Sequence, residues 1–258
     1  MKFLGRICRV ILIAAFWIGV WTFASWKVGK PLLFPSPAAV IRRLFELMQT
    51  KDFYLITVNS LWNIVKGILA AVFGGSLLAM ITSRIRFLRE AILPVMTVIK
   101  ATPVASFIIL ALIWIGSAKV PTFITVLIVL PVIWTNLDEG LRKVDPQLVE
   151  VAKVYKMPLL RRLRLLTLPS VKPYFVSACR TSLGLAWKAG IAAEAIALPA
   201  VSIGKQLMDA KIYLETTDLF AWTTVVIVLS LILETAATRL FRLWQTASDR
   251  TRGKEATV

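Results

Sequence analysis

Six apolar runs, separated by short polar stretches, limit what this chain can fold into. They cover residues 10–26, 55–82, 91–115, 121–137, 174–198 and 219–240. A membrane-spanning helix needs about 20 predominantly apolar residues, so each run is near the length of one crossing. The runs are long and do not alternate apolar with polar positions, which argues against a transmembrane β-barrel. With 58% hydrophobic residues and nine Trp, the chain carries more apolar surface than a soluble protein of its length can bury. The expected class is an all-α membrane protein with six transmembrane helices.

The net charge of +17 suits nucleic acid in a soluble protein, but here it suits membrane orientation. With the N-terminus inside and the spans alternating, nineteen Lys/Arg fall in inside segments and eight outside. Both termini and the loop after the fourth run are therefore expected in the cytoplasm. The histidine count is zero, which removes the commonest general base and metal ligand. Cys8 and Cys179 are too few for a disulfide framework or a zinc site. No catalytic residue, metal site, cofactor or nucleic-acid partner is expected.

In chain order, residues 1–52 read as an anchor and an interfacial helix. The anchor is expected to be uncleaved, because its apolar run is long and rich in Trp17, Trp21 and Trp26. Ser36 and Pro37 suit the N-cap and first turn of a helix at about 38–48. Residues 53–242 form the main membrane domain, and 243–258 a polar cytoplasmic tail. Gly67, Gly74 and Gly75 on the second run permit close helix contact.

The loop at 138–172 is too charged to lie in a bilayer, where each central charge costs about 2.5–3.5 kcal/mol. Asp145 and Pro146 are a helix start. Leu148, Val149, Ala152 and Tyr155 follow at helical spacing and predict an apolar stripe. Pro158 breaks that helix, and Leu168-Pro169 ends the unit before the next span. A charged loop needed only for topology requires neither paired helices nor a stripe.

This loop resembles the EAA loop of binding-protein-dependent ABC importer permeases: Glu150-Val151-Ala152, Lys156 in the usual Gly position, and the closing Leu168-Pro169. Further likenesses point to the nitrate/sulfonate/taurine branch. They are Leu33-Phe34-Pro35-Ser36-Pro37, Thr57-Val58-Asn59-Ser60-Leu61, Pro131 with Asn136, Gly140 with Val144-Asp145-Pro146, and Ala186-Trp187 with Ala193-Glu194. Together they run from about residue 33 to 235.

The resemblance implies a type I ABC importer permease fold in the bacterial inner membrane. It implies a second permease copy, a separate cytoplasmic ATPase dimer that binds the ATP, and an extracytoplasmic solute-binding protein. Glu150, Ala152, Lys156, Pro158, Leu168 and Pro169 would form the ATPase-coupling unit. The substrate would be a sulfonate, taurine, nitrate or a pyrimidine-like nutrient. No G-x-x-x-x-G-K-[ST] phosphate loop occurs in the chain, consistent with ATP bound elsewhere. The family Gly suits a left-handed turn, where Lys156 would cost about 1–2 kcal/mol, and a turn directed by Pro158 would avoid that cost.

Charges inside the apolar runs need protein or water around them. Lys100 and Lys188 suit a pathway of positive potential for an anion, with Glu194 a third candidate. Ion pairs across subunits serve these charges equally well. Lys188 and Glu194 are six residues apart and cannot pair directly on one helix. The alternative function is a self-sufficient secondary transporter, which would need no ATPase.

Overall fold

The computed structural model describes residues 2–255, with side chains described at residue 9 and from 11 to 243. The side chains of Lys2, Arg6 and Cys8, and those of the polar tail, lie outside the described residues. The chain opens with α1 (Lys2–Val28) and a short helix α2 (Pro37–Met48). Ser36 caps α2 as expected, its hydroxyl accepting from Ala39 N. A long α3 (Lys51–Thr82) follows, capped by Thr50. Next come α4 (Arg86–Ala101), α5 (Val104–Ile115) and α6 (Val120–Arg142). The polar loop holds α7 (Pro146–Val154) and one turn, α8 (Leu159–Arg162). Then come α9 (Leu168–Ala197), α10 (Ile203–Ile212) and α11 (Thr216–Glu255).

The core is a layer of α3, α6 and α9, with α6 between the other two. Small residues set the spacing. A Cβ on Gly67 would sit 2.6 Å from the Thr125 Cβ, and one on Gly190 would sit 2.6 Å from Ile64 Cγ1. Helices thus meet at backbone distance, as small residues allow in lipid. Ile64, Val129, Ile133, Trp134 and Trp187 are almost fully buried in this layer. The indole of Trp134 donates to Thr82 Oγ1 at 3.0 Å, and that of Trp187 to the Val226 carbonyl at 3.0 Å. These two tryptophans are packing residues, whereas Trp114 is exposed.

Among the described residues, four helices are long and apolar enough to cross a membrane: α1, α3, α6 and α11. The pair α4 and α5 makes a fifth if counted as one broken span. The stretch 91–115 is not one straight helix, because its halves are bent by 105° at Thr102 and Pro103. Pro103 carries no N–H and holds Thr102 in extended backbone, at φ −79° and ψ 134°. The 30-residue α9 is long enough, but Arg180, Lys188 and Glu194 keep it out of the apolar set.

Two expectations are revised. The polar stretch 199–218, expected only to separate the last two runs, contains α10. Leu168-Pro169 does not end a unit, because α8 continues through a π-helical turn, Leu163–Thr167, into α9. Leu168 N donates to the Leu163 carbonyl, the wider bond of a π turn. That widening makes room for Pro169, whose ring would otherwise meet the carbonyl four residues back.

Candidate functional site

The polar loop is built from its caps outward. Asp145 Oδ1 accepts from Gln147 N at 2.8 Å and starts α7. At the far end Lys156 N donates to the Lys153 carbonyl (3.0 Å), and Met157 N to the Ala152 carbonyl (2.9 Å). This is a Schellman closure with Lys156 in its left-handed position, at φ 47°. The chain thus keeps the backbone that glycine would favour, and the Pro158-directed alternative is not adopted. Pro158 itself sits at φ −56° and ψ 145°, starting α8.

The stripe on α7 divides into two faces. Ala152 is buried at 3% exposure, with Val149 half-buried beside it. Leu148, Val151 and Tyr155 point outward, Tyr155 at 79%. Ala152 therefore shapes the unit from inside, and the outward apolar stripe passes through Val151. Glu150, Lys156 and Pro158 are exposed on the same protruding unit, and Leu168 is exposed further along the helix. Pro169 is half-buried. Near the root of the loop, Arg89 Nε lies 3.0 and 2.9 Å from the two oxygens of Asp138 and ties α4 to α6. Lys143 bonds Glu139 at 2.7 Å, which raises its pKa.

Glu194 is not on an open surface. It is completely buried, and its Oε2 accepts from Ser60 Oγ at 2.8 Å and from Gly204 N at 3.1 Å. Ile203 N donates in turn to Ser60 Oγ at 2.9 Å, and Lys205 N to the N-cap Ser202 Oγ at 3.2 Å. The first three N–H groups of α10, which no helix can satisfy internally, are thus met by side chains. Asn59 Nδ2 also holds the Val201 carbonyl at 2.6 Å. The stretches 57–61 and 193–194, separate in sequence, meet at this junction. The donors to Glu194 come from Ser60 and from the N-terminus of α10.

On the same side of the molecule, Arg43 of α2 grips Asp218 of α11 through Nε (2.6 Å) and Nη2 (2.8 Å). That bidentate bond holds the Arg43 pKa above its ordinary value.

Lys188 and Lys100 are both exposed, on different helices. Lys100 Nζ donates to Thr135 Oγ1 of α6 at 2.7 Å. Lys188 lies on the one exposed face of α9, a row that includes Ser177, Arg180 and Thr181. Neither Lys188 nor Arg180 forms an ion pair among the described residues. Glu194 is not brought to either lysine. Among the described residues no group of three or more His, Cys, Asp or Glu could hold a metal ion.

The described residues form an all-helical chain with several helices apolar enough to cross a membrane. The chain belongs to the family of binding-protein-dependent transport system inner membrane components, which it matches over residues 67–247. It is similar to an Escherichia coli protein named for aliphatic sulfonate transport, at 26% identity over 93% of this chain and 92% of that one. It is also similar to the E. coli taurine transport system permease protein, at 24% identity over 83% and 80%. A solved bacterial ABC transporter involved in import of the acidic polysaccharide alginate shares the fold. Its TM-score is 0.63 at 16% identity, covering 94% of this chain and 99% of that one. The chain is thus a permease subunit of an ABC importer, with the type I permease fold.

Proposed function

We propose that two copies of this permease form a pathway for a small oxyanion, such as a sulfonate, taurine or nitrate. A solute-binding protein delivers it, and a separate ATPase dimer drives its passage. Each copy crosses the membrane six times, through α1, α3, the broken pair α4–α5, α6, α9 and α11. Its termini and α7 are cytoplasmic, because the basic segments gather there. Residues 1–52 anchor the chain, 53–242 form the permease body, and 243–258 form the tail. The α9 helix belongs among the crossings because it is 30 residues long and packs between α3, α6 and α10, with Ser182 and Glu194 buried and its cations Arg180 and Lys188 gathered on one face.

Docking uses Glu150, Lys156 and Pro158 together with the outward row of Leu148, Val151 and Tyr155. Ala152 holds α7 in shape from within. Leu168 and Pro169 lie on the helix that runs unbroken from Leu159 to Ala197. At 1.5 Å per residue, Leu159 and Lys188 are joined by about 44 Å of continuous helix. A push on the loop therefore reaches the pathway through one rigid element, and closure of the ATPase biases the inward–outward equilibrium.

The observation that carries this reading is the exposed row on α9, where Arg180 and Lys188 lack ion-pair partners. Cations so placed in a membrane protein face a wet cavity. Lys100 adds to the same positive potential, whereas Glu194 positions α10. Replacing Lys188 by Met tests it. Affinity for the anionic solute should fall roughly tenfold, about 1.4 kcal/mol, with assembly intact. Unchanged affinity and selectivity would remove Lys188 from the pathway.

A further inference from the structure

The middle of α3 carries a charge that the transport reading leaves unused. Lys66 lies about 22 Å along α3 from its start, near mid-helix. It sits in an exposed row otherwise made of Val58, Trp62, Leu69 and Phe73. Its Nζ rests 5.9 Å from the Trp62 ring centroid. Beside it opens a recess of about 380 Å³ between α3, the α5–α6 turn and α6. Asn63, Lys66, Lys119 and Thr122 supply its polar groups, and Ile115 and Phe123 its apolar walls. No residue of α9 lines it, so it is separate from the row proposed for the pathway.

Three features make this recess a site. Asn63 is 9% exposed, and its side-chain amide makes no hydrogen bond among the described residues, although its carbonyl accepts from Thr122 Oγ1 at 2.9 Å. Lys66 and Lys119 form no ion pair among the described residues. The apolar row on α3 runs through Lys66, and Lys119 lines the same recess. An uncompensated lysine inside a membrane helix needs an anion or water. The geometry offers that anion two charges and an amide donor, and offers an attached chain an apolar track.

We propose that this recess binds the anionic phosphate headgroup of a phospholipid, with an acyl chain along Leu69 and Phe73. A second copy of the chain is a poor occupant on charge grounds. Its net charge is +17, and six of its fourteen acidic residues, Glu46, Glu90, Asp138, Glu139, Asp209 and Asp218, are already paired internally. Anionic lipid has no such shortage, and basic pockets between membrane helices suit its headgroup.

The test is thermal unfolding of the full-length permease in mild detergent, with added phosphatidylglycerol, phosphatidylcholine or inorganic phosphate. Phosphatidylglycerol should raise the unfolding temperature of the wild type above the value in phosphatidylcholine, and inorganic phosphate should not. Lys66→Gln and Lys119→Gln should each abolish that difference, and Lys66→Arg should keep it. Lys119 is an exposed turn residue, so its variant reads the site even if Lys66→Gln fails to fold. Equal shifts with both lipids, or an equal shift with inorganic phosphate, would overturn the lipid assignment. Loss of a wild-type dimer in Lys119→Gln would instead make the recess an interface between copies.

Discussion

The two ends of α9 meet their surroundings in opposite ways. At the α10 end, Ser60, Glu194, Ser202 and Ile203 are all completely buried, and the first N–H groups of α10 find side-chain partners within the chain. At the other end, Leu160, Val154 and Tyr155 are about four-fifths exposed, on a turn closed by its own backbone. One end is closed largely by the chain itself, with Glu194 Oε1 left buried and without a hydrogen-bond partner among the described residues. The other is stiff but incomplete, with apolar residues presented outward. The contrast separates residues that hold the permease together from residues that await a partner.

The largest effects should come from the closed end. A Cβ at Gly204 would lie 2.3 Å from Ala195 N, which is backbone and cannot yield. Gly204→Ala should therefore cost about 3 kcal/mol, read as a lower unfolding temperature in detergent. Glu194→Ala should come next. It leaves the Ser60 hydroxyl and Gly204 N–H buried without their acceptor, at about 1 kcal/mol each. Normal stability in Glu194→Ala, with uptake lost, would move Glu194 from the frame to the pathway and dissolve the contrast.

Changes at the open end should be smaller in stability and larger in coupling. Lys156→Val puts a β-branched residue into the left-handed position. Coupled uptake should fall while the unfolding temperature stays close to wild type. Lys156→Gly relieves about 1–2 kcal/mol of backbone strain, offset in part by the greater freedom of the unfolded chain. The turn should be kept, so the loss of uptake in Lys156→Gly reads the docking contribution of the side chain alone and should be smaller than in Lys156→Val. A Lys156→Val permease with full uptake would show that the turn geometry does not matter for coupling.

Much of this was legible in the sequence, and what was missed has physical causes. Ser36 and Asp145 announce caps because their side chains accept from the backbone two or three residues on. Gly67 announces a close helix contact because any Cβ there would strike Thr125. Pro103 was visible, but a proline in an apolar run is compatible with either a kink or a break, and packing decides which. Pro169 looked like a boundary because the compensating π turn depends on bonds between residues that carry no signal of it. Glu194 was read as a pathway charge because its partners lie 134 residues before it and 10 after, and the latter belong to a helix in a stretch that reads as loop.

The central claim is that the outward face of α7 is the surface on which an ATPase sits. It is tested most directly by purifying the tagged permease from its native membrane and identifying the proteins that come with it. The wild type should retain a chain with a G-x-x-x-x-G-K-[ST] phosphate loop in stoichiometric amount. The double variant Val151→Asp, Tyr155→Asp should lose it, with an unfolding temperature within about 0.5 kcal/mol of wild-type stability, as expected for exposed positions. Equal recovery of that ATPase with both proteins would contradict the account.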